Sequence, residues 1–240
     1  MEITLPEENP SRIFATKVPI DGREIPVWPQ GQKSQTLNDP RIHAMAFLED
    51  EDLRQGFIRE ILQSAELQPE NTRGYGGKKI RNPEIWNLPF AKLLTQRALL
   101  MFCQATGKRI AHTVDRWVNV LETGDYSAPH AHYESQGAAV YFLDLGDEAP
   151  GSSLSGKFEL MDPRIPWCCS SREYCPTRGM MPEVIPGAML LFPALLLHFV
   201  HPYAGKRPRI TLAWNISEGP EPKGQEQKMA QQVDGKVERK

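Results

Sequence analysis

"RWVNVLETGDYSAPHAHYESQGAAVYFLDL" (residues 116–145) sets the fold reading. Its first part alternates apolar and polar residues, breaks at Thr123-Gly124-Asp125, and resumes as an apolar run from Gly137. That is the pattern of strands joined by turns. Between them His130, His132 and Glu134 recur at every second position. Residues i and i+2 of a strand project from one face, roughly 7 Å apart, so neighbouring members can converge on one ion. Both His130 with His132 and His132 with Glu134 satisfy that spacing. The plainer reading is an exposed loop after Pro129 with incidental histidines.

The pattern extends in both directions. Downstream, "GAAVYFLDLGDEAPGSSLSGKFELMDP" reads as a strand, a Gly/Ser-rich loop and a strand. "EVIPGAMLLFPALLLHFVHPYAGKRPRITLAWNIS" gives three more, punctuated by Pro-Gly and Ala-Gly-Lys. His198 follows the apolar run "AMLLFPALLL". A buried imidazole needs polar partners, and a metal is one of them; a satisfied core histidine is the alternative. His201, three residues on, shares no strand face with it and reads as a rim residue. In "KRPRITLAWN", alternation puts Arg209, Thr211, Ala213 and Asn215 on one face. An inward guanidinium there calls for an anionic ligand or a buried acid.

Upstream the period is helical. In "DEDLRQGFIREILQSAEL", Leu53, Phe57, Ile58, Ile61, Leu62 and Ala65 form one apolar stripe. A second helix is expected from Phe90 to Ala105, with Leu93, Leu94, Ala98, Met101 and Phe102 inward. The intervening "TRGYGGKKIRNPEIWNLP" reads as loop, and its glycines lack P-loop spacing. A strand is expected in "RIFATKVPI". The class is α+β, a β-sandwich or barrel packed beneath helices. The expected divisions are an N-terminal segment at 1–37, helical support at 38–113, a catalytic core at 114–217 and a disordered tail at 218–240, with 10–217 forming one domain.

The 240 residues carry a formal charge of −2, so no strong field points to nucleic acid or an anionic membrane. No long apolar segment suggests a membrane span. "MEITLPEENPSRIF" is acidic where a signal peptide is basic and then apolar, and a cytoplasmic protein is expected. Cys103, Cys168, Cys169 and Cys175 lack the paired spacing of a zinc site. Free thiols are expected, with a strained Cys168–Cys169 disulfide as the alternative.

Two nearby ligands, a distant histidine and then an arginine occur in the order of the non-haem Fe(II), 2-oxoglutarate-dependent oxygenases. "WVNVLETGDYSAPHAH", "AAVYFLDL", "SGKFELMDPR", "VIPGAMLLFPALLLHFVHP" and "RPRITLAWNIS" resemble a bacterial and phage group of these enzymes. So does the "IFATKVPI" opening, and the likeness covers roughly residues 12–217. It implies a double-stranded β-helix, the cupin-like jelly roll, supported by N-terminal helices. It also implies Fe(II) as cofactor, 2-oxoglutarate and O2 as cosubstrates, and oxidation of an unidentified substrate with release of succinate and CO2. His198 takes the late ligand position and Arg209 the 2-oxoglutarate anchor. His132 belongs to either early pair, and the third ligand is His130 in the narrower group's H-x-H or Glu134 in the superfamily's H-x-[DE]. Asn119, Asn215 and Tyr141 are candidates to hydrogen-bond the cosubstrate, and Arg164 to attract a substrate anion. The rival readings are a cupin-like metal enzyme without 2-oxoglutarate and a non-catalytic binding module. A homodimer through the helices is a further possibility.

Overall fold

A computed structural model of the chain describes residues 1–4, 16–29, 31–36, 41–64, 68–69, 76–81, 83–147, 149, 151–161 and 180–220. Arg164, Ala65, the cysteines at 168, 169 and 175, and the tail from 221 lie outside these residues, as do the expectations placed on them.

Among the described residues there are fourteen strands and three α-helices. The strands are β1 (Glu2–Thr4), β2 (Lys17–Ile20), β3 (Arg23–Pro26), β4 (Gln35–Thr36), β5 (His43–Ala46), β6 (Gln68–Pro69) and β7 (Lys78–Ile80). They continue with β8 (Ile110–Leu121), β9 (Ser127–His130), β10 (Gly137–Asp144), β11 (Phe158–Leu160), β12 (Ala188–Pro193), β13 (His198–Val200) and β14 (Arg209–Glu218). The helices are α1 (Glu51–Gln63), α2 (Pro83–Asn87) and α3 (Pro89–Thr106). The major sheet runs β4-β5-β12-β10-β14-β8-β7-β6, with β1 added on β8, and the minor sheet is β11-β13-β9. All pairings are antiparallel. The two sheets form the double-stranded β-helix.

Alternation along the central strands builds two cores. One face of the major sheet, carrying Val118, Val120, Tyr141, Leu143, Leu212 and Trp214, packs against the helices. The other face, with Trp117, Ala138, Val140, Phe142 and Ala213, meets the minor sheet through Phe158 and Leu160. In α3, Leu93, Leu94, Ala98, Met101 and Phe102 are all buried, as their spacing predicts. Trp214 lies edge-on to Trp86 with ring centroids 5.7 Å apart, and its indole N–H donates to Thr95 Oγ1 at 3.1 Å. Arg97 of α3 ties in the N-terminal hairpin. It is fully buried, pairs with Asp50, donates to the carbonyls of Val27 and Pro26, and stacks on Phe47. Burying both charges is tolerable because each guanidinium edge finds an acceptor.

Three expectations change. The stretch 72–89 is not all loop, because β7 pairs with β8 and α2 precedes α3. The helical stretch 38–113 also contributes β5 to the major sheet, and β8 begins at Ile110, ahead of the expected boundary. Leu62 is 41% exposed, because it falls beside the buried stripe of Leu53, Phe57, Ile58 and Ile61 and α1 ends one residue later. Of the expected opening strand, the described part is β2, which pairs with β3 in a separate hairpin. Cys103 is a buried free thiol, and burial pushes its pKa up to about 11. Among the described residues no helix is long and apolar enough to cross a membrane.

Candidate metal centre

Three histidines meet between the two sheets. His130 ends β9, His198 begins β13, and the two are direct cross-strand partners. His132 lies two residues past β9, held in place by its backbone N–H donating to Ala194 O at 2.9 Å. The ring centroids are 4.3 Å apart for His130–His198, 5.1 Å for His132–His198 and 5.2 Å for His130–His132. One nitrogen from each ring lies within 4.8 Å of the others, a set that can hold a metal ion.

Hydrogen bonds orient two of the rings. His130 Nδ1 is 2.8 Å from Ala128 O, and His198 Nδ1 is 2.9 Å from Leu196 O. A carbonyl oxygen only accepts, so in both rings Nδ1 carries the proton and Nε2 keeps its lone pair. Basicity agrees with this arrangement. Burial, and then the fields of His130 and the nearby cations Lys79 and Arg81, press His132 down to about 4. Burial and its two neighbours press His198 down to about 3, and burial lowers His130. The imidazoles are therefore neutral at pH 7, the form a metal requires.

The cavity beside them is lined by Asn119, Leu121, Ser127, Phe192, Arg209, Thr211 and Asn215, among others. Arg209 is only 2% exposed, and its guanidinium carbon is 5.7 Å from the Phe142 ring centroid. Its stem runs past Gly156, where an added Cβ would come within 3.0 Å of Arg209 Cδ and 2.9 Å of Tyr203 Cδ2. Tyr203 is itself pinned, donating its hydroxyl to Arg207 O and lying 3.0 Å from Asp147 Oδ1. Asn119 Nδ2 donates to Thr211 Oγ1 at 3.2 Å. The buried Asn215 Oδ1 makes no hydrogen bond among the described residues, which leaves an acceptor on the cavity wall. A trio of neutral imidazoles beside a buried cation suits a metal ion chelated by a small diacid.

Residues 115–215 match the family described as "Putative 2OG-Fe(II) oxygenase". No curated protein sequence matches the chain. Solved structures repeat the fold. The prolyl-4-hydroxylase of Pseudomonas putida is 17% identical with a TM-score of 0.53, over 75% of this chain and 94% of that one. A Trichoplax adhaerens prolyl hydroxylase, in complex with a hypoxia inducible factor peptide fragment, is 17% identical with a TM-score of 0.54, over 75% and 85%. HygX of Streptomyces hygroscopicus, with nickel and 2-oxoglutarate bound, is 13% identical with a TM-score of 0.54, over 74% and 83%.

Among the sequence candidates, His130, His132, His198, Arg209, Asn119 and Asn215 all border one cavity. Two do not. Glu134 is exposed in the turn after β9 and lies outside the imidazole cluster, because the strand ends at His130 and alternation stops there. Tyr141 points to the helix side of β10, fully buried with its ring 6.5 Å from Phe90, one position out of phase with the cavity-facing Val140. His201, just past β13, is not among the cavity-lining residues, and its Nε2 is 2.8 Å from Glu159 Oε2. Lys79 of β7 lines the cavity and was missed in the sequence, since three residues among glycines and prolines carry no readable strand period.

Proposed function

We propose that the protein hydroxylates a substrate with conversion of 2-oxoglutarate to succinate and CO2, at Fe(II) held by His130, His132 and His198. The convergence of three neutral imidazoles on one point, with Glu134 turned to solvent, carries this reading. Nδ1–H bonds to backbone carbonyls fix the His130 and His198 rings so that Nε2 faces the ion. Arg209 takes the distal carboxylate of 2-oxoglutarate in a bidentate, charge-assisted pair, and burial strengthens it. Thr211, whose Oγ1 accepts from Asn119, keeps its own O–H to donate to a bound diacid. Bound iron, 2-oxoglutarate and O2 supply the oxidising chemistry. Apolar walls from Phe158, Phe192 and Val200 exclude water from it.

Three histidines supply one negative charge fewer than two histidines and a carboxylate, so the bound ion stays more electron-poor. The test is succinate formation from 2-oxoglutarate by the purified protein with Fe(II). Turnover should vanish in His198→Ala, and in Arg209→Ala it should need far more 2-oxoglutarate. Retained wild-type turnover in both variants would refute the reading.

A further inference from the structure

The cavity has a closed end and an open one. At the closed end Arg209, its cross-strand partner Leu121 and the nearby Tyr203 are each at most 2% exposed. At the other end a relay of backbone bonds stitches the loop carrying His132 to β14. The N–H of His132 donates to Ala194 O at 2.9 Å, that of Ala194 to Gln136 O at 3.0 Å, and that of Gln136 to Ile216 O at 3.0 Å. Residues next to this relay face solvent, with Tyr133 83% exposed and Leu195 64%. Asn215 immediately precedes Ile216 and stands opposite Ala138, which borders the cavity with it. It therefore lies at the cavity mouth, on the side of the His132 loop.

Register separates Asn215 from the cosubstrate. On the cavity face of β14, Arg209 and Asn215 are six residues apart, about 20 Å at the rise of a strand. Trp117 lies opposite Ala213, and its ring centroid is 5.5 Å from that of His132, which sets the imidazoles level with residue 213. A five-carbon diacid reaching from Arg209 to the ion fills the interval before that level. The face shared with Arg209 makes Asn215 a cosubstrate candidate, but strand length puts it on the far side of the ion. There its Oδ1 is buried with no hydrogen bond among the described residues. Folded proteins seldom leave a buried acceptor without a donor, because its desolvation is then uncompensated. The residue as a whole is only half-buried. Rotation about χ2, a soft torsion in Asn, turns the amide toward the cavity without strain.

We infer that Asn215 is a specificity-determining residue for the primary substrate, its carboxamide pairing with an amide group at the cavity mouth. This rests on the 2-oxoglutarate reading for the ion beyond it, but amide binding itself is testable without iron. A carboxamide carries an acceptor and a donor side by side, and an amide N–H next to its own C=O matches both. The pairing gives Oδ1 the donor it lacks. A substrate docked this way presents a carbon near its amide toward the ion.

The probes are N-methylacetamide and methyl acetate, which differ in one N–H, titrated into the metal-free full-length protein. The readout is the Asn215 side-chain amide resonance in nitrogen-resolved NMR spectra, assigned by its absence from both Asn215→Ala and Asn215→Ser. A saturable shift is expected with N-methylacetamide, and binding about fivefold weaker with methyl acetate, which cannot donate. Absence of a saturable shift, or an equal one with methyl acetate, would overturn the inference by leaving Oδ1 to a resident water. N-acetylalanine N-methylamide, with two amides, separates the sources of such a group. Tighter binding than N-methylacetamide indicates a peptide and equal binding a small molecule, and either result supports amide recognition. In the anaerobic Fe(II) protein, Asn215→Ala should keep 2-oxoglutarate affinity within about twofold of wild type, where Arg209→Ala loses at least about tenfold. An equal loss in Asn215→Ala would assign the residue to the cosubstrate and also overturn the inference. Failure of wild-type protein to develop a charge-transfer band with Fe(II) and 2-oxoglutarate would instead count against the 2-oxoglutarate reading, whatever N-methylacetamide does.

Discussion

Replacing Gly156 by alanine should weaken 2-oxoglutarate binding without touching any group that contacts it. Gly156 has φ +61, and its absent side chain makes room for the Arg209 stem. A Cβ there would stand 3.0 Å from Arg209 Cδ, 3.3 Å from Arg209 Nε and 2.9 Å from Tyr203 Cδ2. Carbon–carbon contact is comfortable at about 3.5 Å or more, so one neighbour must retreat by roughly 0.5 Å. Tyr203 is poorly placed to yield. Its ring is 1% exposed, its hydroxyl is held by Arg207 O and Asp147, and its backbone bridges to Gly124 and Asp125. The Arg209 stem moves instead, and a bidentate pair tolerates little displacement. Loss of one of two charge-assisted hydrogen bonds costs about 1.5–3 kcal/mol, which raises Kd roughly 10- to 150-fold. The left-handed backbone adds a stability cost of about 1–2 kcal/mol. Gly107→Ala is the control, with φ +69 and nothing within 4 Å of the added Cβ. It should lose similar stability and bind 2-oxoglutarate normally. Anaerobic titration of the Fe(II) protein, with thermal melts of both variants, separates the effects. If Gly156→Ala melts like Gly107→Ala yet binds 2-oxoglutarate within twofold of wild type, the Arg209 anchor is refuted.

Other outcomes follow from the same geometry. Alanine at His130, His132 or His198 should each abolish stoichiometric iron binding, whereas Glu134→Ala should leave iron content and turnover within twofold, as metal analysis and succinate assays would read. Free histidine titrates near about 6.5, and the fold holds His132 near about 4 and His198 near about 3. The unfolded chain therefore binds more protons in this range, and the metal-free protein should lose stability as pH falls from about 6.5 through those values. Denaturant melts of His198→Ala should show a shallower acid dependence, and an equally steep one would contradict the burial argument. Tyr141→Phe should keep wild-type 2-oxoglutarate affinity, because its ring belongs to the helix-side core. Arg97→Ala should cost about 3–5 kcal/mol in a denaturant melt, since it leaves the buried Asp50 carboxylate uncompensated.

How much of this was legible in the sequence depends on the element. In "RITLAWN" polar and apolar residues alternate, so the cavity side of β14 carried its own label, and Arg209, Thr211 and Asn215 do face the cavity. "GAAVYFL" carries no such label. Every residue of β10 from Gly137 to Leu143 is buried, because the strand is sandwiched between the helices and the minor sheet. Period two then gives two candidate faces and nothing to choose between them, and Tyr141 falls on the other one. The third candidate ligand turned on where β9 stops. Alternation carried through Glu134 keeps it beside the histidines, but the chain turns after His130, and a long-range bond from His132 to Ala194 does the aiming. Lys79 depends on β7, whose existence rests on pairing with β8 some forty residues later in the chain. Local pattern does not encode that partner.

The most direct measurement is diffraction at the iron absorption edge from crystals grown anaerobically with Fe(II) and 2-oxoglutarate. The account predicts one anomalous peak about 2.1 Å from Nε2 of each of His130 and His198 and from a ring nitrogen of His132, with no carboxylate from the chain in its coordination sphere. A peak bound by Glu134, or one missing any of the three imidazoles, would contradict it.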